Sequence, residues 1–155
     1  LTVEELAKAK GLPVNFLQSL GCRTTSYCDN SAVLIPYHDE AGKVVAVRYR
    51  LSLNNADRFR WRRGDHATLY GLDRLADIRK HGWVLLVEGE TDSWTCWLKD
   101  QPALGMPGKE TWKPEWARLI RGVQPYLWVE PGADSIIERV AMDLPGLLVI
   151  PAPKD

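Results

Sequence analysis

Two short stretches place carboxylates where chemistry could use them. Val84-Leu85-Leu86-Val87 is an apolar run that stops at Glu88, Gly89 turns the backbone, and Asp92 follows. Further along, Tyr126-Leu127-Trp128-Val129 repeats the design, ending at Glu130 with Asp134 close behind. A buried strand that ends this way delivers its acid to the rim of a sheet. Two such ends suit Mg²⁺ or Mn²⁺, hard cations that take oxygen ligands and keep a substrate phosphate among them. Asp92 and Asp134 also have a purely structural reading, as caps of helices opening at Ser93 and Ser135. Capping and metal binding are not exclusive. Glu88 resists the structural reading, because an acid directly after four apolar strand residues gains little from structure alone.

A second chemistry is written in arginine. Between Lys43 and Arg63 stand seven basic residues (Lys43, Arg48, Arg50, Arg58, Arg60, Arg62, Arg63) against one acid, Asp57. From Val84 to Asp155 the balance reverses, eleven acids to seven bases, so the net charge of zero hides two segments of opposite purpose. Strand alternation sets Arg48 and Arg50 on one face and gathers Arg58, Arg60 and Arg62 together, with Phe59 and Trp61 interleaved. The bland reading is a charged strand edge that resists aggregation. Edge protection more often uses lysine and mixed signs, whereas arginine forks onto phosphates and an aromatic ring such as Trp61 stacks on a base. The composition therefore favours nucleic-acid contact.

Several elements must hold these groups. Thr2 and Glu5 have capping-box spacing for a helix ending at Gly11, and Pro13 starts a second short helix ending near Gly21. The second helix has no Arg or Lys, so the pair reads as a packing element rather than a DNA-reading helix-turn-helix. Ala32 to Tyr37 and Lys43 to Leu51 flank a glycine-containing turn and form a hairpin. Leu69-Tyr70-Gly71-Leu72 and a helix from Asp73 to His81 lead into the first acidic strand. Beyond it come a helix at Ser93 to Lys99, a strand at Pro102 to Met106 and a helix at Lys113 to Arg121. A strand at Tyr126 to Glu130, a helix at Asp134 to Asp143 and a strand at Gly146 to Ile150 complete the run. Such alternation implies a parallel sheet whose sites lie at the carboxyl ends of its strands.

Composition bounds the rest. A chain of 155 residues, 45% hydrophobic and 26% charged, builds one solid core and a small appendage. No apolar run approaches membrane-spanning length. Three cysteines without a CxxC pair support neither a disulfide framework nor a zinc ribbon; a buried-thiol reading is favoured over a metal shared by Cys22, Cys28 and His38, and a cytoplasmic compartment fits. There is no GxxxxGK[ST] sequence, hence no ATP-driven motor. The start at Leu1 and the stop just after an apolar strand read as a piece of a larger polypeptide.

Glu88-Gly89-Glu90-Thr91-Asp92 followed by Glu130-Pro131-Gly132-Ala133-Asp134 resembles the acidic motifs of the TOPRIM domain. The first motif is intact; in the second, Gly132 stands where a further acid is expected. The hairpin around Ile35 to Val44, the basic stretch and Leu69-Tyr70-Gly71-Leu72 occur in the order found in the catalytic region of bacterial and phage-type primases. The resemblance covers roughly Ala32 to Asp155, and the N-terminal helices look like the segment before it in primase-helicases. It implies an α/β fold, a four-stranded parallel sheet flanked by helices and preceded by a small basic α+β subdomain. The organisation would be 1–22 helical, 23–82 template-binding and 83–155 the TOPRIM domain, truncated at its C-terminus.

By the same resemblance, Glu88 is the general acid/base, and Asp92, Glu130 and Asp134 surround Mg²⁺ or Mn²⁺. Arg48, Arg50, Arg58, Arg60, Arg62, Arg63 and Trp61 hold single-stranded DNA, and Lys109 touches the triphosphate of a ribonucleotide. The implied function is synthesis of RNA primers on single-stranded DNA, beside a fused or separate replicative helicase. Two other readings stay open: a weakened TOPRIM module that binds nucleic acid, for which Gly132 argues, and a TOPRIM nuclease or topoisomerase fragment.

Overall fold

Thr2 opens the first helix as its spacing with Glu5 predicts. In the computed structural model, which describes residues 1–108 and 111–153, the Glu5 amide donates to Thr2 Oγ1 at 3.2 Å and Glu5 Oε2 accepts from the Thr2 amide at 2.8 Å. Helix α1 (Val3–Lys10) ends at Gly11, whose φ of 64° gives the left-handed cap, and α2 (Val14–Ser19) follows Pro13. Lys109 lies outside the described residues.

The chain divides into two compact units, 1–67 and 68–155. In the first unit, β1 (Arg23–Tyr27), β2 (Asn30–His38), β3 (Val44–Arg50) and β4 (Phe59–Trp61) form an antiparallel sheet in that order. The β2–β3 hairpin is the one the alternation predicts. Strand β1 is an addition. It joins β2 through Cys28 and Asp29, both at positive φ (47° and 62°), a turn without the glycine that usually announces one.

The second unit is a parallel sheet in the order β6-β5-β7-β8, built from β5 (Trp83–Glu88), β6 (Ala103–Met106), β7 (Gln124–Val129) and β8 (Leu148–Pro151). Val84, Leu86, Leu104, Met106, Leu127 and Val129 form one face. They pack in a single buried cluster with Leu75 and Ile78 of α3 (Leu75–His81), Trp116 and Ile120 of a 3-10 helix (Pro114–Ile120), and Ile136 and Val140 of α5 (Ser135–Asp143). Helix α4 (Gly89–Leu98) packs on β6, on the face of Ala103 and Gly105, where the Trp97 indole donates to the Ala103 carbonyl at 3.0 Å. The sequence expectation of a four-stranded parallel sheet with covering helices is met.

Two local differences bear on the site. Helix α4 starts four residues before the expected Ser93, because Gly89 at φ +80° turns strand directly into helix. Asp92 is therefore a first-turn residue and not the cap of a helix opening at Ser93. Residues Lys113 to Arg121 wind as a 3-10 helix over Pro114–Ile120 rather than an α-helix.

Leu69-Tyr70-Gly71-Leu72 works as a lock on the sheet. Tyr70 and Gly105 exchange both backbone hydrogen bonds, at 2.8 and 2.9 Å, and Tyr70 Oη accepts from the Trp94 indole at 2.8 Å. Gly71 sits at φ 102° where a Cβ would come within 2.5 Å of the Trp97 ring, so glycine is required there. Among the described residues no helix is long and apolar enough to cross a membrane.

Candidate functional site

Strands β5 and β7 are parallel neighbours, with Leu86 opposite Leu127, so Glu88 and Glu130 leave adjacent strand ends at the same carboxyl rim. The two-residue period puts Glu88 in the row of Val84 and Leu86, and Glu130 in the row of Tyr126 and Trp128. The acids leave the sheet from opposite faces and share only the rim. Both are half-buried.

The turn below Glu88 is tightly built. Ser93 Oγ donates to the Gly89 carbonyl at 2.8 Å, and a Cβ on Gly105 of β6 would lie 2.5 Å from Ser93 Oγ and 2.7 Å from that carbonyl. Gly105 thus lets β6 pass close under the Glu-Gly turn. Asp92 is half-buried on α4; burial first, and then the Asp92 carboxylate, raise the Cys96 thiol pKa above its ordinary value. Glu90, which sequence reasoning passed over, is 1% exposed in the first turn of α4. Only its place between two candidate ligands, at a helix start that favours acids, could have drawn notice to it.

Around Glu130 the structure explains a departure from the motif. Ala133 N donates to the Glu130 carbonyl at 3.0 Å, closing a turn with Pro131 and Gly132 at its centre. Gly132 has φ +78°, the position of a type II turn that calls for glycine, and it is exposed. The missing acid is thus a turn requirement. The Glu130 side chain accepts from the Trp128 indole at 3.0 Å. Asp134 holds the N-cap position of α5 but makes no side-chain capping bond, and it is exposed.

The donor set of Glu88, Asp92, Glu130 and Asp134 is all carboxylate, which fits a hard cation that keeps part of its water shell. It is not a closed cage. Among the described residues, the one group of three ligating side chains within 4.8 Å of one another is Asp77, His81 and Asp100, all exposed. Asp77 and His81 precede β5 and Asp100 precedes β6, which puts this triad at the opposite end of the sheet. His81 Nδ1 lies 2.9 Å from the Asp77 carbonyl. A cation is already there: the Arg74 guanidinium stacks on Trp97 at 4.0 Å, with burial lowering its pKa and Asp73, Asp77 and Asp100 opposing that shift.

In the first unit the arginines divide. Arg48 and Arg50 stand opposite Trp61 and Phe59, so these four side chains share one sheet face. Arg48 lies over Phe59 at 4.0 Å and Trp61 at 5.2 Å, and Trp61 meets Tyr37 edge-on at 4.9 Å. Arg50, expected to contact nucleic acid, is instead 3% exposed; its guanidinium donates to the carbonyls of Ser52 and Leu53 at 3.2 and 3.1 Å. Arg60 stands opposite Tyr49 on the other face. Backbone bonds Arg62 N to Val47 O and Leu51 N to Arg58 O extend that pairing, so Arg58, Arg60 and Arg62 follow one row as expected. Arg60 and Arg62 pair with Asp57 (3.8 Å) and Asp65 (2.9 Å), and both are exposed, as is Arg63. The basic residues therefore make two faces, not one patch. Cys22, Cys28 and Cys96 form no disulfide; Cys22 is buried as expected but Cys28 is exposed, and among the described residues Cys22, Cys28 and His38 do not converge as ligands.

No family model matches the sequence. The Gene 57 protein of Mycobacterium phage D29 is 30% identical over 114 residues, which are 72% of this chain and 74% of that protein. The chain belongs to the family of this phage protein. Its fold is that of the TOPRIM-containing catalytic cores of DnaG-type primases. The Aquifex aeolicus primase zinc-binding and RNA polymerase domains superpose with a TM-score of 0.75 at 15% identity, over 96% of this chain and 48% of that one. The E. coli primase catalytic core gives 0.76 at 15% identity, over 97% and 65%. A DnaG primase catalytic domain bound to single-stranded DNA gives 0.74 at 14% identity, over 97% and 66%. The chain thus spans about half to two thirds of the length of these primase structures.

Proposed function

We propose that this protein is the catalytic core, or most of it, of a phage- or plasmid-type DNA primase that makes RNA primers on single-stranded DNA. The observation that carries the reading is the placement of Glu88 and Glu130 at adjacent carboxyl strand ends, in a fold shared with primase catalytic cores. Glu88 accepts the proton of the attacking 3′-hydroxyl while a bond forms to the α-phosphorus of the incoming ribonucleoside triphosphate and pyrophosphate leaves. Asp92, Glu130 and Asp134 hold Mg²⁺ or Mn²⁺, which when bound neutralises the charge on the triphosphate and the departing pyrophosphate. Lys109, which follows β6 in the sequence, contributes a positive charge toward the triphosphate.

The segment 23–82 acts as the basic template-binding subdomain, 83–155 as the TOPRIM part and 1–22 as a helical appendage. Exposed Arg60, Arg62 and Arg63 and half-buried Arg58 grip template phosphates, while Arg48 and Trp61 offer a stacked cation and ring on the other face. A replicative helicase, fused or separate, is the natural partner, and three cysteines outside any disulfide suit a cytoplasmic protein. Glu88→Gln should abolish primer synthesis in the presence of Mn²⁺ while leaving single-stranded DNA binding, read by fluorescence anisotropy, within about twofold of wild type. Full synthesis by this variant would remove the catalytic role of Glu88.

A second reading has its own support: Gly132 replaces a carboxylate, and no three of the four acids bring ligand atoms within 4.8 Å. On that reading the protein binds single-stranded DNA but does not polymerise. Wild-type protein that binds template and yields no primer at any Mn²⁺ concentration would establish it. A nuclease or topoisomerase role has less support, since the basic hairpin upstream of the acidic strands argues for the primase reading over both.

A further inference from the structure

Glu130 is held twice, and the second hold comes from a residue with no chemistry of its own. Its backbone carbonyl is fixed by the turn bond from Ala133, and one of its carboxylate oxygens receives the Trp128 indole N–H at 3.0 Å. Trp128 and Glu130 are two residues apart, so the strand period puts both side chains on the same side of β7. Indole has a single donor, and its direction is set by a rigid ring. We infer that Trp128 is a positioning residue that orients the Glu130 carboxylate as a one-oxygen ligand for the divalent cation. This rests on the metal-dependent reading above.

The bond orients the carboxylate and does more than satisfy the indole. It engages Oε1, so the carboxylate's rotamer is chosen before the cation arrives and less ordering cost falls on binding. The turn at Pro131-Gly132 removes the second carboxylate of this motif, so more of the hold on the cation falls to Glu130. Partners that orient a ligand typically change metal affinity by 10- to 100-fold when removed. A neutral donor is a clean handle, because Trp128→Phe deletes the N–H without altering the net charge.

The test is a double-mutant cycle read by calorimetric Mn²⁺ titration on the whole chain, with thermal unfolding measured in parallel. Wild type, Trp128→Phe, Glu130→Ala and the double variant are compared. Trp128→Phe should weaken Mn²⁺ binding about tenfold. The double variant should bind no more weakly than Glu130→Ala alone, since Trp128 acts only through that carboxylate. Wild-type affinity in Trp128→Phe, with binding lost in Glu130→Ala, would overturn the role of Trp128 and leave the metal reading intact. Equal binding by wild type and Glu130→Ala would overturn the metal reading itself and this inference with it. Additive losses would show that Trp128 acts by another route. Should Trp128→Phe fail to fold, Trp128→Met, equally without a donor, takes its place in the cycle.

Discussion

At the scale of single residues, the most consequential substitution is one the chain has already made. Gly132 departs from the acidic motif because a type II turn needs positive φ at that position, so backbone geometry and ligand count compete for one residue. Gly132→Asp should reverse the trade. Added charge at the rim should tighten Mn²⁺ binding severalfold in calorimetry, while left-handed strain lowers stability by about 1 kcal/mol. Gly132→Ala, which carries the strain without the charge, is the control, and equal Mn²⁺ affinity in the two variants would place the cation away from this turn. The candidate ligands were readable from sequence because strand, glycine and acid each leave a local signature. The Trp128 bond to Glu130 and the burial of Glu90 were not, since both depend on side-chain direction in the folded rim.

Among elements, the strands were more legible than their ends. Alternation from Lys43 to Arg63 gave the faces of β3 and β4 correctly, but periodicity counts faces and cannot say which face is covered. Periodicity alone therefore puts Arg50 among the template contacts. In the folded sheet it is buried and serves the carbonyls of the loop after β3. Arg50→Met should therefore lower stability by about 2 kcal/mol, from the loss of charged hydrogen bonds, with a matching fall in Tm. Binding to single-stranded DNA below the new Tm should keep its salt dependence; a flattened slope would return Arg50 to the template contacts. Strand β1 escaped notice because Cys28 and Asp29 adopt positive φ without glycine, and the start of α4 was misplaced because Gly89 reads equally well as a loop residue or a strand-to-helix turn.

On the scale of the whole molecule, the charge asymmetry follows the two units: the arginine-rich segment lies in 1–67 and the acid-terminated strands in 68–155. If the first unit holds template, single-stranded DNA affinity should fall with rising salt with a log–log slope of about −0.7 per neutralised phosphate. Replacing Arg58, Arg60 and Arg62 together by alanine should weaken binding and reduce that slope by up to about 2, and anisotropy across a salt series measures both. An unchanged slope would move the template elsewhere. The fold class was legible because each strand and helix carries its own period. The paired bonds between Tyr70 and Gly105 occupy the outer side of β6, while β8 forms the other margin and bears the exposed side chains of Leu148 and Val149. Any strand that pairs with β6 from outside must first displace the Tyr70 backbone bonds, so that margin resists edge-to-edge association.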